Sequence, residues 1–202
     1  MITNLSRRLA PVIVLALSVP LLITGCGYNE LQGLDEETKA AWSEVVNQYQ
    51  RRADLIPNLV KAVKGYAKHE RETLEAVTQA RSQVAGLKAT PELLKDEAAF
   101  NKFQQAQQQL SGALARLLVV VEQYPDLKAD SHFRDLQSQL EGTENRIAVA
   151  RKRYIDQIAE FNKGVRYFPT NLTAKYLLHL APKPNFTVED EKSVATVPEV
   201  KL

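Results

Sequence analysis

The sequence predicts an all-α protein, an antiparallel bundle of three long helices plus a short fourth helix, and three observations predict it. Apolar side chains recur at spacings of three and four through most of the chain after residue 35, the repeat of one buried helical face. Capping residues and prolines stand at the ends of those periodic stretches, at Thr90-Pro91, Tyr124-Pro125 and Pro169-Thr170. An apolar content of 45% with 25% charge over 202 residues suits one folded domain.

The chain opens with Arg7 and Arg8 ahead of an apolar run, Leu9 to Ile23, that ends in Leu22-Ile23-Thr24-Gly25-Cys26. That run is shorter than the roughly 20 residues a helix needs to cross a bilayer, and Pro11 and Pro20 weaken it as a span. Residues 1–25 therefore read as a lipoprotein signal peptide. Small side chains at Thr24 and Gly25 admit a peptidase, and the Cys26 thiol accepts the diacylglycerol of a palmitate-type anchor. An uncleaved transmembrane anchor is the alternative. The expected location is extracytoplasmic and membrane-anchored. Gly27, where an inner-membrane lipoprotein commonly has Asp, points to the periplasmic face of the outer membrane if the bacterium has two.

Removing residues 1–25 takes away two basic and no acidic side chains, leaving 24 of each sign. A neutral mature chain lacks the basic excess that neutralises phosphates, so nucleic acid is not an expected partner. With one cysteine, no intrachain disulfide can form.

Residues 26–34 are expected to be the anchor and a tether reaching at most roughly 26 Å. From Asp35 to about Gly86 one stripe passes through Trp42, Tyr49, Ile56, Val63, Val77 and Val84, the pattern of a single amphipathic helix. Pro57 withdraws a backbone donor from the Ala53 carbonyl, so a kink is expected there. Thr90-Pro91-Glu92 signals the second helix, whose seam is Phe100, Phe103, Gln107, Leu110, Leu114, Leu117 and Val121. Gln104 to Gln109 falls mostly on its solvated faces. Asp130 can cap the third helix, with an inner face from Phe133 through Ile147, Tyr154 and Phe161 to Val165. Thr170 caps a short fourth helix to about His179, the bundle closes at residue 180, and residues 181–202 read as a mobile tail.

Helix lengths carry a functional expectation. The first helix would be roughly 78 Å long and the others roughly 50 to 55 Å, so residues 35–54 would project with Trp42, Val45, Val46 and Tyr49 uncovered as an interaction surface. A fold-back at Pro57, or cover from the fourth helix or tail, is the alternative. Arg52, Asn58, Glu70, Arg81, Glu144 and Arg151 are polar residues on core-facing positions. They read as a paired network that fixes helix register, with Glu144 and Arg151 sharing a face, or else as a recognition site between helices.

Catalytic and metal patterns fail one by one. Di-iron bundles need Glu-x-x-His, but Tyr66, Ala129 and Tyr176 stand three before the histidines. His69-Glu70 begins a zinc-protease motif that Thr73 ends. No Gly-x-Ser-x-Gly elbow and no phosphate-cradling glycine loop occurs. No enzyme activity, metal or cofactor is expected.

Several stretches resemble the LemA family: Tyr28-Asn29, Ala41-Trp42, Arg52-Ala53-Asp54-Leu55-Ile56-Pro57-Asn58-Leu59-Val60 and Val63-Lys64-Gly65-Tyr66-Ala67-Lys68-His69-Glu70. Leu110-Ser111-Gly112-Ala113-Leu114, Glu122-Gln123-Tyr124-Pro125-Asp126-Leu127-Lys128, Glu144-Asn145-Arg146-Ile147-Ala148 and Phe161-Asn162 continue it, over about residues 28–175. The resemblance implies an anchored antiparallel bundle over 35–180 and supplies no catalytic residues. It also implies a TPM-domain membrane protein as a partner; self-association through the projecting helix is the other partner expected. This chain departs from the pattern in its lipobox and in Tyr154-Ile155 where members often have Tyr-Asn. The function expected is an envelope scaffold or adaptor for a membrane partner, with a ligand sensor or carrier as the second reading.

Overall fold

A computed structural model describes residues 27–67 and 69–186, and every regular element among them is helical. The fold is all-α. Helix α1 spans Tyr28–Tyr66, 39 residues or about 58 Å, and α5 spans Ser131–Arg166, 36 residues or about 54 Å. They lie antiparallel along their whole length. Leu31 clusters with Phe161 and Val165, the Trp42 and Tyr154 rings are 5.4 Å apart, and the Tyr66 hydroxyl donates to Asp130 at 3.1 Å. Asp130 caps α5 as expected, accepting from the Phe133 N–H at 2.8 Å.

The long first helix is in fact two. The α-helix is continuous through Pro57 but ends at Tyr66, and after a turn in which the Glu70 N–H donates to the Ala67 carbonyl at 3.2 Å, helix α2, Arg71–Ala85, folds back. Burial is the physical reason. A straight rod would leave Leu74, Val77 and Val84 in water, whereas the fold-back packs them into one core with Ile56, Leu59, Leu110 and Leu117. The seven-residue pattern is the same on both sides of the break, so it could not reveal it.

The connection from α2 contains a 3-10 turn, Pro91–Lys95, where the sequence predicted the second long helix to begin. That helix, α3, starts six residues later and spans Glu97–Val121, with Asp96 rather than Thr90 accepting from the Ala99 N–H at 3.0 Å. It runs parallel to α1: Phe100 sits near Trp42, Ser111 near Arg52, and Tyr124 near Glu70. A short helix, α4 (Pro125–Ala129), leads into α5. The expected fourth helix is one α-turn, α6 (Thr170–Leu172), followed by a π-helical turn over Thr173–Leu177.

Both ends of the expected bundle need correction. Tyr28 to Leu34 is the start of α1 rather than a tether, and residues 181–186 are docked rather than mobile. The expected signal peptide and Cys26, with residues 187–202 of the expected tail, lie outside the described residues.

Candidate functional site

The four proposed interaction residues of α1 are not an open surface. Trp42 and Val45 are fully buried, Tyr49 is buried and Val46 is half-buried. Because α2 folds back, the chain from 86 to 96 crosses this level, and Trp42 donates from Nε1 to the Ala89 carbonyl at 3.1 Å. The tail supplies the remaining cover. The Phe186 ring lies 6.3 Å from Trp42, 5.1 Å from Phe100 and 5.5 Å from Tyr154, spacings typical of favourable aromatic pairs.

Below that cluster sits the polar centre of the bundle. Arg52, only 1% exposed, reaches from α1 toward α3 and α5. Its Nη1 donates to Ser111 Oγ at 2.8 Å and Glu144 Oε1 at 2.9 Å, and its Nη2 to Gln107 Oε1 at 2.5 Å. The Tyr49 ring, one turn earlier, stands 5.1 Å from the guanidinium carbon. A buried charge needs such a set of partners, because desolvation costs several kcal/mol per ion. Arg52 Nε alone finds none. Beside it is a cavity of about 170 Å³ whose walls include Tyr49, Gln107, Glu144 and Arg151. Burial pushes the Tyr49 phenol above its ordinary pKa, against the opposing pull of the Arg151 and Arg52 charges.

The predicted network thus divides. Arg52 and Glu144 come together, but Arg151 does not pair with Glu144 and instead lies over Phe186, 4.4 Å from the ring centroid. Arg81 donates from Nε to the Ala53 carbonyl at 2.8 Å. Glu70 accepts from the Tyr124 hydroxyl at 2.9 Å, tying the α1–α2 turn to the end of α3. Asn58 is exposed, because it stands on the outer side of α1 next to Pro57.

Other functional contacts had weak sequence signals. Gln104 and Gln107 are buried, and only the placement of Gln107 on the apolar seam hinted at it. Ser111 is a small residue between Leu110 and Gly112 and gave no sign of facing Arg52. Asp35 is buried and held by the Lys183 ammonium from the tail and by Lys39 at 2.8 Å. Asn162 fixes the same tail segment, donating to the Lys183 carbonyl at 3.0 Å and accepting from its N–H at 2.8 Å. Periodicity places a tail without helical repeat nowhere, so these partners could not be found from it.

Among the described residues no group of three or more His, Cys, Asp or Glu is placed to hold a metal ion, and no helix is long and apolar enough to cross a membrane. Among curated proteins no sequence matches this chain. The LemA family model matches residues 41–202. That match takes in the Arg52 centre, the fold-back and the docked segment up to Phe186, over most of the chain; the chain belongs to the LemA family.

Proposed function

We propose that this protein is a lipid-anchored scaffold or adaptor of the cell envelope, acting by binding a membrane partner or a second copy of itself rather than by catalysis. The observation that carries this reading is an open groove of about 700 Å³ between α1 and α2, lined by Val60, Leu74, Lys64, Arg71, Glu75 and Gln79. It combines an apolar floor with charges of both signs on its rim, the composition of a helix-receiving surface. By helix rise it lies about 50 Å along α1 from Gly27, so an anchor at Cys26 would hold it well clear of a bilayer. A membrane protein with a TPM domain, the class suggested by the family resemblance, is the partner to test first.

A photoreactive side chain introduced at Lys64 or Gln79 in living cells tests the proposal. Both positions are exposed. Adducts to one membrane protein or to this chain support the adaptor, and their absence at both positions removes it.

A second reading, a small-ligand sensor, is favoured by the partnerless Arg52 Nε beside the Glu144 cavity. At about 170 Å³ that cavity is below the usual size of small-molecule pockets, roughly 300 Å³ and up, and suits a ligand of a few atoms. A thermal shift with small carboxylates or other anions that disappears in Gln107→Leu would favour it.

A further inference from the structure

Six large apolar side chains are exposed at one end of the bundle: Tyr28 on the first turn of α1, and Tyr167, Phe168, Leu172, Tyr176 and Leu177 in the chain leaving α5. Phe168 is 79% exposed and Tyr176 64%. The interior at this level is already filled, since Leu31, Phe161, Val165 and Ala174 form their own buried cluster with Leu178 and Leu180 against it. The outward residues are thus surplus to the core, and exposed apolar side chains gathered at one end of a fold mark an interaction site.

Charge and chain direction indicate what it meets. From 161 to 186 there are four basic residues and no Asp or Glu. Lys163 and Lys183 are paired with Glu160 and Asp35, but Arg166 and Lys175 are exposed and have no carboxylate partner among the described residues. The Lys175 ammonium lies 5.3 Å from the Tyr176 ring. Gly27 enters α1 against this same surface. Its φ is +86°, and a Cβ there would come within 2.5 Å of Thr170 Cγ2. Cys26, the expected lipidation site, is the next residue back in the sequence.

We propose that this end of the bundle is a foot that rests on an anionic phospholipid surface, with Phe168, Tyr176 and Leu177 in the headgroup layer and Arg166 and Lys175 against lipid phosphates. Tyr side chains favour that layer because one end of the ring is apolar and the other wet. Arg and Lys reach phosphate from apolar stems, and an anionic leaflet attracts basic clusters. Since α1 begins at Tyr28, little chain separates the foot from Cys26, and α1 and α5 lead away from the membrane toward the groove. The inference goes beyond the adaptor reading and shares with it only the anchor at Cys26.

The test places a photoreactive phenylalanine at Phe168 or Tyr176 in the full chain, expressed in cells, and analyses the adducts by mass spectrometry. Val119 on α3, 68% exposed but far from the foot, is the control. Phospholipid adducts at 168 and 176 and none at 119 are expected, with a several-fold lower yield when Arg166→Glu and Lys175→Glu are added. Adducts to protein instead of lipid at both positions, or an unchanged yield with the two acids, overturn the foot. A chain that stays in the membrane fraction without lipid adducts at 168 or 176 leaves the anchor standing and removes the foot alone. A chain absent from that fraction removes both, while the groove is judged separately at Lys64 and Gln79.

Discussion

Arg81 donates to the carbonyl of Ala53 at 2.8 Å, and that oxygen is the one Pro57 leaves without its helical donor. The fold-back of α2 therefore repairs a defect that proline makes in α1, and the repair helps explain how α1 passes through Pro57 unbroken.

A double-mutant cycle should detect this coupling. Arg81→Met is expected to cost about 1 to 2 kcal/mol in urea unfolding, because a buried carbonyl loses its partner. In a Pro57→Ala background the new N–H can serve that carbonyl, and the cost should fall by about half or more. Equal costs in the two backgrounds would show that Arg81 acts elsewhere.

The Arg52 centre predicts an asymmetry. The Glu144 side chain is 43% exposed and can turn to water if Arg52 is lost, whereas Arg52 has no such exit. Glu144→Gln keeps a hydrogen-bond acceptor and should cost about 1 kcal/mol. Arg52→Ala removes the whole centre and leaves a hole, at about 3 kcal/mol or more. Arg52→Met, which fills the space, should recover much of that loss. Denaturant titration of the three variants checks the order, and a Glu144→Gln loss as large as that of Arg52→Ala would contradict it.

These contacts show where the sequence was legible. The seams of α3 and α5 were, because Phe100, Leu110, Tyr154 and Phe161 each lie on a face that repeats without interruption. The end of α1 was not, because Val63 and Val77 keep one phase across the turn between them. The Arg52–Glu144 pair joins positions 92 residues apart, and a periodic pattern can place each residue inside without choosing its partner. Arg151 was paired with Glu144 on spacing alone, and Phe186, from a segment with no helical repeat, occupies its guanidinium instead.

The Asp35–Lys183 contact should make tail docking sensitive to acid. Burial raises the Asp35 pKa, but hydrogen bonds from Lys183 and Lys39 outweigh it and leave the carboxyl below its ordinary 3.8. A carboxyl lowered in the folded state adds stability that is complete above the unfolded pKa and is lost as pH falls through the folded one. The latch should therefore hold at neutral pH and weaken below about pH 3.8. The hydrogen-exchange protection factor of the Lys183 amide reads this directly. It should drop on acidification in the parent chain and stay low and flat in Asp35→Asn; matching profiles would count against the pair.

Phe186→Ala tests whether the tail belongs to the core. The ring is half-buried against Trp42, Phe100 and Tyr154, with Arg151 above it, so truncation should cost about 1 to 2 kcal/mol rather than the full core value. Trp42 emission should move to longer wavelength and protease cleavage near residues 181–186 should accelerate. Unchanged emission with unchanged cleavage would show that the tail adds nothing to the packing.

Two glycines on the same helix entry should respond in opposite directions to one methyl group. At Gly27 the backbone is left-handed with φ +86°, and a Cβ would press on Thr170. Gly27→Ala should therefore cost about 1 kcal/mol or more and loosen α6 from the start of α1. At Gly33, within α1 and with nothing inside 4 Å of a Cβ, Ala should stabilise by about 0.5 to 1 kcal/mol through helix propensity. Thr170→Ala added to Gly27→Ala removes the clash but not the backbone strain, so it should restore only part of the loss. Full restoration would mean that contact alone sets the position, and a Gly33→Ala loss would mean that α1 does not begin at Tyr28.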